Sequence, residues 1–244
     1  MSHTANLDNI SIVLVHTKTA GNIGAVARCM MNMGLSRLVL VRPPLDRHGD
    51  AMKFAAGAER ILEHAARFGT LGEAIADHGL VVGTSRQMSK RRKNVRPPRE
   101  IAHELIPLLS RNRVALVFGR EVNGLDNEDL ALCNELIAIP SSDKFPSLNL
   151  SHAVMVVAYE LFLAAGAPVP AMDRILASSS KLEGLYAHLR DTLMAIQFID
   201  TDNAERIMFS LRQLFGRARP DAREVSIIRG ILTELERRTT QLKP

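Results

Sequence analysis

A chain of 244 residues, 46% hydrophobic and 23% charged, is long enough for one large domain, or a domain with an appendage, around a full core. No apolar run approaches the roughly 20 residues of a membrane span, and the opening M-S-H-T-A-N-L-D-N-I lacks the pattern of a secretory signal. The expectation is a reduced, cytoplasmic protein with no membrane association. Its two cysteines, Cys29 and Cys133, read as small core residues, and its eight histidines show no ligand spacing, so no metal is expected.

The net charge of +5 is unevenly spread: residues 86–99 hold seven basic residues and no acid, which leaves the rest of the chain at −2. Concentrated Lys and Arg beside a ligand crevice are the electrostatic footprint of a phosphate backbone, and Lys90, Arg91, Arg92 and Lys93 are the candidate RNA contacts. The competing reading is a solvated loop, since Pro97-Pro98 and the missing apolar period argue against regular structure here.

In chain order, residues 10–15, 37–41, 80–83, 114–118 and 136–139 read as short, buried strands. Between them 23–33, 51–56, 71–77, 101–109 and 127–133 read as helices. Strands alternating with helices predict a mainly parallel sheet covered on both faces. The stretch from Leu150 to about Gly166 reads as a long helix. Its near-continuous hydrophobicity predicts that both faces are covered, part of it by another subunit. Residues 166–173 (G-A-P-V-P-A-M-D) have the composition of a linker. Beyond it, three sets of apolar residues recur at helical spacing, with Asp221 as a candidate N-cap for the last. The expected division is a catalytic domain over 1–165, a linker over 166–173 and a helical C-terminal domain over 174–244.

Three polar clusters follow strands and lead into helices: T-A-G-N-I-G-A-V-A-R (19–28), F-G-R-E-V-N-G-L (118–125) and I-P-S-S-D-K-F-P-S-L-N-L-S (139–151). Open α/β folds bind ligands at such strand ends, so three in one chain predict one composite site. Gly21 and Gly24 are not spaced as G-x-G-x-x-G, and Arg42 stands where a ribose-binding acid would be wanted, which disfavours a nucleotide oxidoreductase. Walker A, H-E-x-x-H and G-x-S-x-G patterns are absent, so nucleotide hydrolysis, zinc chemistry and hydrolase elbows lack support.

In order and approximate separation, N-I-G-A-V-A-R, V-F-G-R-E-x-x-G-L and P-S-L-N-L-S resemble the three signature motifs of the SpoU class of SPOUT RNA 2′-O-ribose methyltransferases, over residues 9–165. The tail, with L-Y-A-H-L-R-D-T-L and L-R-Q-L-F-G-R-A-R-P, resembles the branch that methylates the ribose at position 32 of the tRNA anticodon loop. The resemblance implies an α/β sheet ending in a trefoil knot, S-adenosylmethionine as cofactor, tRNA as substrate, and a homodimer with active sites at the subunit interface. Its alternatives are a ribosomal RNA target, another tRNA position, or a non-catalytic RNA-binding protein.

Carried onto this sequence, the resemblance puts Arg28, Asn22, Glu121, Ser147 and Asn149 in the catalytic machinery. Arg28 corresponds to an arginine often drawn as the base. An arginine pKa above about 12 makes a clamp on the target phosphate the better chemistry, with a salt bridge on the helix surface as the bland alternative. Asn22 and Asn149 either orient ribose or cap turns. Glu121 anchors Arg28, holds a loop or acts directly, and Ser147 and Ser151 either bind nucleotide or cap a helix. Thr84, Ser85, Arg86, Gly119, Ile139 and Leu148 are the expected cofactor-binding set. His16, ending the first strand, reads as a structural histidine. With aromatics at 4%, shape and phosphate contacts should dominate RNA recognition over base stacking.

Overall fold

The computed structural model describes residues 6–44, 48–85, 95–167 and 172–241. Arg86, Lys90, Arg91, Arg92 and Lys93 lie outside them, as does part of the expected linker.

Seven strands form one sheet in the order β3-β2-β1-β6-β4-β7-β5. They are β1 (Ile10–Val15), β2 (Arg37–Val41), β3 (Ala66–Phe68), β4 (Leu80–Thr84), β5 (Val95–Arg96), β6 (Val114–Phe118) and β7 (Glu135–Ile137), and every pairing between them is parallel. The five expected strands are all present. The edge strands β3 and β5 were not expected, and β5 corrects the reading of 86–99 as loop throughout.

The inner strands show why the sheet is covered on both sides. Ile10, Ile12 and Leu14 of β1 join Leu38 and Leu40 of β2 and Leu116 and Phe118 of β6 in one core layer. The alternate residues Val13, Val15, Val39, Val41, Ala115 and Val117 form the other. The first layer is closed by α1 (Ala20–Asn32), α2 (His48–Ala55), α3 (Glu59–Glu63), α5 (Pro98–Leu108) and α7 (Leu150–Ala165). On the second lie the short α4 (Leu71–Ile75) and α6 (Asn127–Ala131). Pro98 opens α5, where a missing N–H costs nothing.

The glycines of the first polar cluster serve packing. A Cβ on Gly24 would sit 2.0 Å from the Ala51 carbonyl oxygen, so the glycine is what lets α1 lie against α2.

Helix α7 was expected to be covered on both faces, in part by another subunit. Leu150, Val154, Val157, Ala158, Leu161 and Ala164 are buried, but Tyr159, Phe162 and Leu163 are each 48% exposed, so one apolar face is uncovered in the single chain.

The C-terminal helices α8 (Ser179–Ala195), α9 (Ala204–Ala218) and α10 (Ala222–Gln241) surround their own core of Leu182, Leu185, Tyr186, Leu189, Met208, Val225 and Leu232. Asp221 caps α10 as expected: its carboxylate accepts from the amides of Arg223 and Glu224 at 2.8 Å, and Glu224 accepts in return from the Asp221 amide. The bundle is docked on the sheet domain, where the Ser179 amide donates to the His78 carbonyl.

Candidate active site

The C-terminal ends of the neighbouring strands β6, β4 and β7, with the start of α7, enclose one cavity of 580 Å³. This is the size of a small-molecule site. Thr84, Ser85, Gly119, Ile139 and Leu148, five of the six expected cofactor residues, all line it, as do Glu121 and Ser147. Arg120, Asn123, Gly124, Leu125 and Leu130, which sequence reasoning did not single out, complete the rim. All but Leu130, which lies on α6, fall within the second cluster.

Each wall has a local cause. The Thr84 hydroxyl donates to the Val117 carbonyl at 3.0 Å, and the Ser85 amide to the Ile137 carbonyl at 2.8 Å, which ties the three strand ends together. Residues 120–124 fold back through paired backbone hydrogen bonds, Arg120 amide to Gly124 carbonyl at 3.2 Å and the reverse at 2.9 Å. Gly124 takes the left-handed φ of +68° that this turn requires. A Cβ on Gly119 would lie 2.1 Å from the Gly124 carbonyl carbon and 2.2 Å from the Leu125 nitrogen. No side chain fits there without moving backbone.

Glu121 joins the first cluster to the second. Its carboxylate accepts from the amides of Lys18 at 3.2 Å and Thr19 at 3.1 Å, and from the Asn22 side-chain amide at 3.0 Å. Burial resists the charge, but these hydrogen bonds outweigh it and hold the carboxyl below the usual glutamate range. Glu121 is therefore an ionised anchor of the loop before α1. Among the described residues its hydrogen-bond partners are Lys18, Thr19 and Asn22 and not Arg28, an arrangement that fits loop holding.

The third cluster is joined in turn. The Asn149 side-chain amide donates to Asn22 Oδ1 at 3.1 Å, while Asn149 Oδ1 accepts from the Ser151 amide at 2.9 Å and from its hydroxyl at 2.8 Å. Asn149 thus caps α7 and tethers it to α1 at once. Asn22, Glu121, Asn149 and Ser151 form one continuous network across residues over 100 positions apart in sequence.

Arg28 is not brought to this cavity. It is exposed on α1, six residues and about 9 Å along the axis from Asn22. Among the described residues it has no hydrogen bond or ion pair, so the surface salt bridge is not formed.

The basic stretch is smaller than its sequence suggests. Arg96 pairs with Glu104 and Glu135, and Arg99 with Glu160 at 3.1 Å, so these two charges are satisfied internally. His16 takes a left-handed φ of 53° at the end of β1, with Arg42 at 3.3 Å from its Nε2. Burial, with Arg120 and Arg42 nearby, pushes its pKa down. Among the described residues no group of His, Cys, Asp and Glu is arranged to hold a metal ion, and no helix is long and apolar enough to cross a membrane.

Residues 9–159 match the SpoU rRNA Methylase family, and residues 180–244 match the C-terminal domain of the tRNA methyltransferase TrmJ. The chain is 43% identical to the tRNA (cytidine/uridine/adenosine-2′-O-)-methyltransferase TrmJ of Pseudomonas aeruginosa, over 95% of each protein. It is 41% identical to the tRNA (cytidine/uridine-2′-O-)-methyltransferase TrmJ of Escherichia coli K12, over 94% of this chain and 96% of that one. The crystal structure of TrmJ from Z. mobilis superposes with a TM-score of 0.80 at 32% identity, covering 93% of this chain and 98% of that one. With matches to both halves and near-complete coverage, the chain belongs to the SpoU rRNA Methylase family, in the branch that carries the TrmJ C-terminal domain.

Proposed function

We propose that the protein methylates ribose 2′-hydroxyls in tRNA, at position 32 of the anticodon loop, using S-adenosylmethionine. The observation that carries this reading is the single cavity into which Thr84, Ser85, Gly119, Ile139 and Leu148 all open, with Glu121 and Ser147 at its rim. The names of the relatives, which include cytidine, uridine and adenosine, support tolerance of more than one base.

The cavity fits the cofactor on its own terms. Ile137, Ile139, Leu125 and Leu148 provide an apolar wall for a purine, and the side-chain-free floor at Gly119 gives a ligand close access to backbone. Glu121 adds a carboxylate, complementary to a cationic sulfonium. Bound there, S-adenosylmethionine supplies an activated methyl group.

The chain's own residues hold the second reactant. Ribose hydroxyls are poor nucleophiles, so positioning and proton removal are the tasks that remain. Ser147 and Asn149 stand where they can orient the ribose, while Glu121 and Asn22 fix the loop that faces it. Arg28 acts as a bidentate fork on the target phosphate, leaving a phosphate oxygen or solvent to take the hydroxyl proton. Its absence from the cavity lining of its own chain fits a homodimer in which it reaches the site across the interface. The uncovered Tyr159, Phe162 and Leu163 face of α7 provides an apolar surface for that pairing. The trefoil knot, the division at 166–173, the cytoplasmic location, a cofactor contact at Arg86 and RNA contacts at Lys90, Arg91, Arg92 and Lys93 belong to the same proposal.

The test is methyl transfer from labelled S-adenosylmethionine to unmodified tRNA by the purified protein, with the product mapped by nucleotide. Label on the ribose at position 32 supports the reading. Label only in ribosomal RNA, or none in any RNA, overturns it.

A further inference from the structure

Phe145 is 77% exposed, the most of any large apolar side chain among the described residues, in a protein with ten aromatics and no tryptophan. An exposed phenylalanine presents a large, rigid apolar face to whatever docks beside it. Its loop is not loose: the Phe145 amide donates to the Ser142 carbonyl at 3.0 Å, and the Ser141 hydroxyl to the Pro146 carbonyl at 3.2 Å. Among the described residues the ring makes no contact with another aromatic side chain. The next three residues, Pro146, Ser147 and Leu148, line the cavity, so Phe145 stands within about 7 Å of Ser147 along the chain.

We propose that Phe145 is a positioning residue for the methylated nucleotide, presenting its ring as a platform on which the target base stacks. This rests on the tRNA methylation reading above. A base is attached to the sugar carbon next to the one that bears the 2′-hydroxyl, so a base whose ribose lies at Ser147 falls within reach of the neighbouring ring. Stacking also suits a site that accepts more than one base, because every base offers a π-face whatever its hydrogen-bonding edge. Among the described residues, the cavity mouth offers no other exposed aromatic ring. Recognition elsewhere on the RNA remains a matter of shape and phosphates, with a single stacking contact at the reacting nucleotide.

The experiment is a cycle between protein and RNA. Wild type and Phe145→Ala are assayed for kcat/KM at saturating cofactor, on tRNA with a base at position 32 and on the same tRNA lacking only that base. On the intact tRNA, the alanine variant should lose about 5- to 150-fold, the range of one base–aromatic stack. On the abasic tRNA the two proteins should be equal, and Phe145→Tyr should restore most of the activity on the intact one. Equal losses on both RNAs, a change in S-adenosylmethionine affinity, or a change in oligomeric mass would overturn the proposal in favour of a loop-supporting or subunit-contact role. So would an unaffected alanine variant. Wild type inactive on the intact tRNA would instead refute the underlying function.

Discussion

Replacing Glu121 by glutamine removes one charge and almost no volume, so it isolates what the carboxylate does for the loop before α1. One oxygen accepts from Thr19 and Asn22, and the other from Lys18. A glutamine can keep the first pair as neutral hydrogen bonds, but its amide nitrogen then faces the Lys18 N–H, donor against donor. Hydrogen bonds to a charged group contribute about 1.5–3 kcal/mol each and neutral ones about 0.5–1.5. Lys18 and Thr19 are exposed, so water takes up part of the loss. The expected cost is about 1–2 kcal/mol, a factor of roughly 5–30 in the opening equilibrium of this loop. Hydrogen exchange at the Lys18 and Thr19 amides should accelerate by that factor at pH 7, and methyl transfer should fall with it. Because the Glu121 pKa is depressed, its contribution is complete above the ordinary value of 4.5 and is lost as pH falls through the folded value. The two proteins should therefore differ across the neutral range and converge only in acid. Matching exchange rates and turnover at pH 7 would refute the anchoring role.

Gly119→Ala places a methyl group against the backbone of Gly124 and Leu125, which should cost about 1–3 kcal/mol and lower the unfolding midpoint by about 2–4 °C per kcal/mol. Calorimetric titration should show weakened S-adenosylmethionine binding, and wild-type affinity would refute the close-approach argument. Arg28→Ala should abolish methyl transfer with cofactor affinity unchanged, and Arg28→Lys should also be poor, because a point charge cannot form the fork; near-normal turnover by either sinks the role. Neutralising Lys90, Arg91, Arg92 and Lys93 together should flatten the slope of log tRNA affinity against log salt, by at most about 0.9 per lost phosphate contact. An unchanged slope returns the stretch to a solvated loop. His78 is 4% exposed, with its Nε2 2.9 Å from the Ser11 hydroxyl. Burial, helped by Arg113 and Arg37 and opposed by Asp77, lowers its pKa, so its contribution to stability is full above 6.5 and is lost as pH falls through the folded value. Unfolding midpoints should drop on acidification less steeply in His78→Gln than in wild type; parallel curves would refute this.

The strands that could be read in the sequence are those whose residues are buried on both faces. Val114–Phe118 is aliphatic or aromatic throughout, and no helix period fits five such residues between polar neighbours. The strands that were missed are short and polar. Ala66–Phe68 lies on an edge with two of its residues exposed, and Val95–Arg96 sits inside a run of charge. Arg96 reads as a solvated cation until Glu104, one helix away, and Glu135, which is distant in sequence, are seen beside it. The cavity wall was legible because strand ends carry recognisable polar loops. The Glu121 anchor was not, because two of its three partners are backbone amides about a hundred residues away, and every non-proline residue has one. The displacement of Arg28 from the cavity was also hidden. A motif fixes its place on the helix, and only the packing of α1 shows which way that place faces.

The same limit applies to how the C-terminal bundle meets the sheet. Glu135 opens β7 and is only 7% exposed, yet it carries a carboxylate. It is compensated from two sides, by Arg96 of β5 and by Arg219, which ends α9 in a left-handed turn of φ 47° and donates from Nε at 2.7 Å. Glu104 of α5 pairs with both arginines, which balances two cations with two anions. Beside them Gly216 approaches so closely that a Cβ would lie 2.9 Å from the Asn134 carbonyl oxygen. Removing either arginine would leave a buried carboxylate short of a partner, a far larger penalty than losing a surface pair. Strand β7 spans three residues, about 10 Å. At one end it is fixed to the bundle, and at the other it becomes the cavity wall through Ile137 and Ile139. Strand β5, which lies within the basic stretch, is hydrogen-bonded alongside. The bundle and the cavity are therefore joined through one very short strand, with β5 beside it.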